Sequence, residues 1–145
     1  MGVVGYSGGA TSAHTSPDEA AAFERETGVD ALAISIGNLH LQTEKQAEID
    51  MEILRAIEAV TTVPLVLHGG SGIPTAVRRL LATGSKVKKF NIGTELRMAF
   101  GSALRSVLSD RPEEYDRINI LTATISKLQM TAKCILEEFA SRDPF

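Results

Sequence analysis

The chain has 145 residues, 43% hydrophobic and 23% charged, with a net charge of −3, one cysteine, 5 prolines and 12 glycines. This composition belongs to a globular protein of single-domain size and excludes disordered and fibrous classes; the near-neutral charge argues against nucleic acid as a partner. Cys134 cannot form an internal disulfide, no apolar run approaches the roughly 18 residues of a membrane span, and the N-terminus lacks the pattern of a signal peptide, so a cytoplasmic chain with no membrane partner is expected.

Residues 1–15 are rich in Gly, Ser, Thr and Ala and read as a flexible loop. Ser16-Pro17-Asp18-Glu19 then has the signature of a helix start: a serine cap, proline at the first position and glutamate three residues after the cap. That helix should run to Thr27 and stop at Gly28. Ala31–Ile36 is a short apolar run suited to a strand buried on both faces, followed by a loop, "GNLHLQTEKQ". Ile49, Ile53, Leu54, Ile57 and Val60 recur at helical spacing. The strand "VPLVL" comes next, then the loop His68-Gly69-Gly70-Ser71-Gly72 and a short helix opened by Pro74 and closed by Gly84. A third strand, Val87–Ile92, leads to a helix starting near Thr94, and a long helix is expected over 113–139. Its candidate buried side carries Tyr115, Ile118, Leu121, Ile125, Leu128, Ile135 and Phe139.

Strands alternating with amphipathic helices predict βαβ units and a parallel sheet. The sheet could close as an open doubly wound domain or as part of a (β/α)8 barrel, which needs eight strands where this chain shows about three. In both architectures the carboxyl ends of the strands form the face on which sites are built. Every loop of unusual chemistry here follows a strand: Gly37-Asn38-Leu39-His40, His68-Gly69-Gly70-Ser71-Gly72, and Asn91 with Gly93-Thr94.

Neighbouring strands lie about 4.8 Å apart, so His40 and His68 can converge on one metal ion if their strands are adjacent. Zinc suits two imidazoles but requires a further protein ligand. Glycine loops ahead of helix starts offer amides to a phosphate, although the same glycines could simply make tight turns, and Asn91 and Thr94 could be an ordinary strand end and helix cap. His14 lies in a polar loop and reads as solvated. Lys86, Lys88 and Lys89 read as a solvated strand entrance at the far end from the site.

The segments "GVDALAISIGNLH", "VPLVLHGGSGIP" and "KVKKFNIGTELRMAF", in this order and spacing, resemble the class II, zinc-dependent fructose- and tagatose-bisphosphate aldolases. The resemblance covers nearly the whole chain. It implies the C-terminal part of a (β/α)8 TIM barrel, with residues 1–145 as a single partial barrel domain. The implied reaction is reversible cleavage of a ketose bisphosphate to dihydroxyacetone phosphate and an aldehyde. The resemblance also implies a Zn2+ cofactor with His40 and His68 as metal ligands, a substrate phosphate site at Gly69, Ser71, Asn91 and Thr94, and a monovalent cation near that site.

The third zinc histidine and the proton-handling aspartate of the family would precede residue 1, so the isolated chain is expected to be inactive and to work as a homo-oligomer or with an N-terminal half. The rival reading is a non-catalytic phosphate-binding or assembly module derived from such a barrel. Three positions depart from the family pattern: Leu41 stands where glycine is usual, Gly93 where aspartate is common, and Gly8-Gly9 is not followed by acidic residues.

Overall fold

The computed structural model describes residues 5–6 and 14–140. The chain divides into two compact units, Met1–Gly93 and Thr94–Phe145.

In the first unit, helix α1 (Pro17–Thr27) starts on the expected capping box: Glu19 N donates to Ser16 Oγ, and Ser16 N donates back to the Glu19 carboxylate, each at 3.2 Å. It ends on Gly28 in the left-handed conformation (φ 63°), whose N–H reaches Glu24 O at 2.9 Å. Strand β1 (Gly5–Tyr6) is very short, and β2 (Leu32–Ile34) occupies the centre of the apolar run expected to be a strand. Strand β3 (Leu39–His40) lies inside a segment expected to be loop; it pairs in parallel with β1, with Tyr6 opposite His40. Its two residues are too few to leave a period that a sequence could display.

Helix α2 (Met51–Val60) is capped by Asp50, and β4 (Leu65–Leu67) follows, then a single 3-10 turn at Gly70–Gly72, helix α3 (Thr75–Gly84) and strand β5 (Val87–Phe90). Strands β2, β4 and β5 form one parallel sheet with β4 in the centre. Leu32, Ile34, Leu65, Leu67 and Val87 bury one face of this sheet against Ala20 of α1, Leu54 and Ile57 of α2 and Leu81 of α3. Completely buried aliphatic side chains of this kind each stabilise the fold by about 1.5–3 kcal/mol. Glu24 of α1 accepts from the backbone N–H and hydroxyl of Thr62, tying α1 to the end of α2. Lys86 Nζ donates to Glu58 O and Thr61 O, both at 2.6 Å, so it caps the carbonyl end of α2 rather than standing in solvent as expected.

The expected flexible loop over residues 1–15 lies mostly outside the described residues. At its end Thr15 is buried and bonded in both directions to Ser35: Thr15 N donates to Ser35 O at 2.7 Å, and Ser35 N donates to Thr15 Oγ1 at 3.0 Å.

The second unit contains α4 (Thr94–Asp110), which packs on α5 (Arg117–Thr122) and α6 (Ile125–Ala140). The single helix expected over 113–139 is thus two helices. Asp116 caps α5 by accepting from Ile118 N, and the buried Thr124 turns its hydroxyl back onto Leu121 O at 2.7 Å, closing a tight turn between them. The expected buried side is overturned in part. Ile135 is buried and Leu128 and Phe139 half-buried, whereas Tyr115 and Ile118 are 93% and 65% exposed and Leu121 and Ile125 are also exposed. Among the described residues no helix is long and apolar enough to cross a membrane.

Candidate functional site

The carboxyl ends of β2 and β4 are joined by a side chain that sequence reading passes over. Asn38 is completely buried; its Oδ1 accepts from Ile36 N at 2.8 Å, two residues back along the chain, and its Nδ2 donates to His68 O at 3.0 Å and Ile34 O at 3.4 Å. One amide therefore ends β2, starts the path to His40 and holds the backbone of His68. Its sequence signal is the Gly-Asn pair directly after an apolar strand.

The two histidines expected to meet do meet. The rings of His40 and His68 stand edge to face, with centroids 5.6 Å apart and planes at 63°. Burial, and after it the charges of His40 and Lys89, hold the His68 imidazole below its ordinary pKa, which keeps a nitrogen lone pair available at neutral pH. Asn91 Nδ2 lies 3.0 Å from His68 Nδ1 and 3.3 Å from Nε2. Lys89 Nζ donates to Asn91 Oδ1 at 2.6 Å, so this lysine, exposed as expected, also reaches the site. Its place two residues before Asn91, hence on the same face of the strand, is the signal that could have found it. His14 is exposed, with Nδ1 3.9 Å from Asp50 Oδ2.

The glycine loop is held tightly by its own backbone. Gly69 has φ 64°, and a Cβ there would meet Leu39 O at 2.0 Å, so only glycine lets this loop lie against β3, the strand that carries His40. Gly70 N donates to Asn91 O at 3.0 Å, and Gly72 N and Ile73 N donate to Gly69 O and Gly70 O. Two of these amides close the turn and that of Gly70 ties it to the end of β5; of the residues expected at a phosphate, Gly69, the buried Ser71 and Asn91 lie in this unit. Thr94 is the first residue of α4 and belongs to the second unit. Leu41, at the position where the resembled family usually has glycine, has φ 57° and is 48% exposed. Among the described residues no cluster of three or more His, Cys, Asp or Glu side chains could hold a metal ion.

The family described as fructose-bisphosphate aldolase class-II matches residues 1–144. A 6-phospho-5-dehydro-2-deoxy-D-gluconate aldolase of Bacillus licheniformis is 36% identical over 118 residues, which are 81% of this chain and 40% of that protein. Among solved structures, the YdjI aldolase from Escherichia coli K12 superposes with a TM-score of 0.68 at 28% identity, over 88% of this chain and 45% of that one. A putative fructose-1,6-bisphosphate aldolase from Coccidioides immitis gives a TM-score of 0.73 at 21% identity, over 96% of this chain and 50% of that one, and shows the shared fold. The chain thus spans about half the length of these relatives or less. Its parallel strands and flanking helices are part of a (β/α)8 barrel. With the match running over nearly its whole length and the strand-end loops arranged as described, the chain belongs to the class II fructose-bisphosphate aldolase family.

Proposed function

We propose that this chain carries part of the active site of a zinc-dependent aldol lyase that cleaves a phosphorylated keto-sugar, a ketose bisphosphate in the family pattern, reversibly to dihydroxyacetone phosphate and an aldehyde. The observation that supports this most is the convergence of His40 and His68 at the ends of parallel elements, with ring centroids 5.6 Å apart. Two imidazoles that share one tetrahedral zinc, each nitrogen about 2.1 Å from the ion, have centroids about 5 Å apart, so the pair fits the ion after a small side-chain adjustment. As His40 and His68 make two ligands and a catalytic zinc site uses three, a third protein ligand completes the set. Bound there, the ion would polarise the substrate ketone and stabilise the enediolate.

The chain's own groups do the rest of the binding. Asn91 offers a donor beside His68, and Gly69 and Ser71, in the loop that directly follows His68, are the phosphate-binding residues on this reading. The name of the Bacillus licheniformis relative points to phosphorylated keto acids as a second substrate class for the same site.

A non-catalytic phosphate-binding or assembly role is the second reading, favoured by one observation: Leu41 keeps a left-handed backbone and an exposed side chain in the loop next to His40. Metal titration of the apo-protein tests the first reading. Zinc should bind the wild type and His14→Ala alike and be lost from His40→Ala and His68→Ala. When an N-terminal half from a family aldolase is supplied in trans, cleavage should appear and require both histidines. Undiminished zinc binding without His40 overturns the shared site, and zinc binding with no cleavage in the reconstituted protein supports the second reading.

A further inference from the structure

The pairing of β4 with β5 is irregular: Leu65 stands opposite Val87 and Val66 opposite Lys89, so Lys88 is an extra residue in β5. Beyond it, Leu67 pairs with Phe90, which continues the register to His68 beside Asn91. Side chains alternate between faces, so without the extra residue Phe90 would take the place of Asn91 beside His68. The bulge therefore puts Lys89 and Asn91 together on the face of the sheet opposite the buried row of Leu65, Leu67 and Val87.

We propose that Lys89 is a positioning residue: its ammonium fixes the orientation of the Asn91 side-chain amide, so that Asn91 presents an N–H donor, and never its carbonyl, to the metal-free His68 ring and, where a metal takes that ring's lone pair, to a substrate oxygen beside it. An asparagine amide is nearly the same shape either way round, and its orientation follows from its partners. An ammonium has donors only. With Lys89 Nζ 2.6 Å from Oδ1, the oxygen is committed and Nδ2 must face the imidazole, 3.0 Å from Nδ1. The ring nitrogen that accepts must then carry a lone pair, so in the metal-free protein the lysine also selects the tautomer of His68 through one intervening side chain. The neighbouring Lys88 does not do this; its Nζ donates to Ser85 O at 2.8 Å, at the entrance of the strand. The catalytic weight of this orientation rests on the lyase reading above, whereas the orientation itself does not.

The test is nitrogen-15 NMR of the metal-free full chain with imidazole and side-chain amides labelled. The wild type and Lys88→Met should show a scalar coupling across the hydrogen bond from Asn91 Nδ2 to a His68 ring nitrogen of pyridine type. Lys89→Met should lose that coupling, and Lys89→Arg, again donor-only, should restore it. Lys89→Glu presents acceptors only and should turn the amide round, so that the same ring nitrogen becomes protonated and moves to the pyrrole-type range. Lys89 is exposed, so at least one of these variants should fold, as circular dichroism would verify. Absence of the coupling in the wild type, or its persistence unchanged in Lys89→Met or Lys89→Glu, overturns the proposal. Because no metal or activity enters the measurement, failure of the lyase reading and failure of this one are distinguishable.

Discussion

Gly69 and Leu41 both have a left-handed backbone within a few residues of the paired histidines, and they should respond to substitution in opposite directions. At Gly69 a methyl group would meet Leu39 O at 2.0 Å and would add the conformational penalty of φ 64°. Gly69→Ala should therefore cost more than about 2 kcal/mol in urea unfolding, through the left-handed penalty and the displacement of β3. Gly84→Ala, whose new Cβ meets nothing within 4 Å, should be near neutral in the same measurement. Leu41→Gly releases a strained φ of 57° at a half-exposed side chain and should gain up to about 1 kcal/mol, reduced by the extra freedom of glycine in the unfolded chain.

His68 adds a pH dependence at the same scale. Its pKa is lowered in the folded protein by burial first and then by the charges of His40 and Lys89. Between that lowered value and the ordinary one of about 6.5, the unfolded chain binds more protons than the folded one, so stability rises with pH. The contribution is fully present above about 6.5 and is lost as pH falls through this window. Urea midpoints measured across the window should rise more steeply with pH for the wild type than for His68→Gln. Parallel curves would remove His68 as the source.

At the scale of elements, α2 depends on a cap that also belongs to the loop after β3. Asp50 Oδ1 accepts from Glu52 N at 3.0 Å and Ile53 N at 2.9 Å, and Asp50 N donates to Ile36 O at 2.8 Å. Asp50→Ala should cost about 0.5–2 kcal/mol, with faster hydrogen exchange at the amides of Glu52 and Ile53, and Asp50→Ser should recover most of the loss. If those two amides exchange as in the wild type, the cap is not what starts the helix. The second unit shows how a local bond can break a periodic pattern. Apolar residues recur at helical spacing through 113–139, yet the Thr124 hydroxyl on Leu121 O ends one helix and the next begins at Ile125.

For the molecule as a whole, the described pairings place β2 and β5 at the two edges of a three-stranded parallel sheet. Parallel edges are normally covered. Strand β5 carries exposed Lys88 and Lys89, charges that discourage pairing, whereas β2 offers only Leu32, Ala33 and Ile34. The isolated chain should therefore self-associate, with β2 as the pairing edge. Sedimentation velocity over a range of concentrations should reveal species heavier than the monomer; a monodisperse, cooperatively melting monomer would count against an uncovered barrel segment.

Elements whose causes are local are legible in the sequence. The box of Ser16 and Glu19, the stop at Gly28, and the apolar faces of α2 and β4 can be read because each depends on residues a few positions apart. It also indicated that His40 and His68 lie at the ends of parallel elements, since loop position follows from the alternation of strands and helices. What those loops do in space depends on contacts between segments far apart in the chain. Asn38 bonds to a carbonyl 30 residues away, the one-residue slip in β5 chooses Asn91 over Phe90 as the neighbour of His68, and Lys89 reaches the site from a run that looks merely solvated. The period of a strand tells which residues share a face, but register against a distant neighbour is set by packing and by bonds between segments far apart in the chain, which no local pattern encodes.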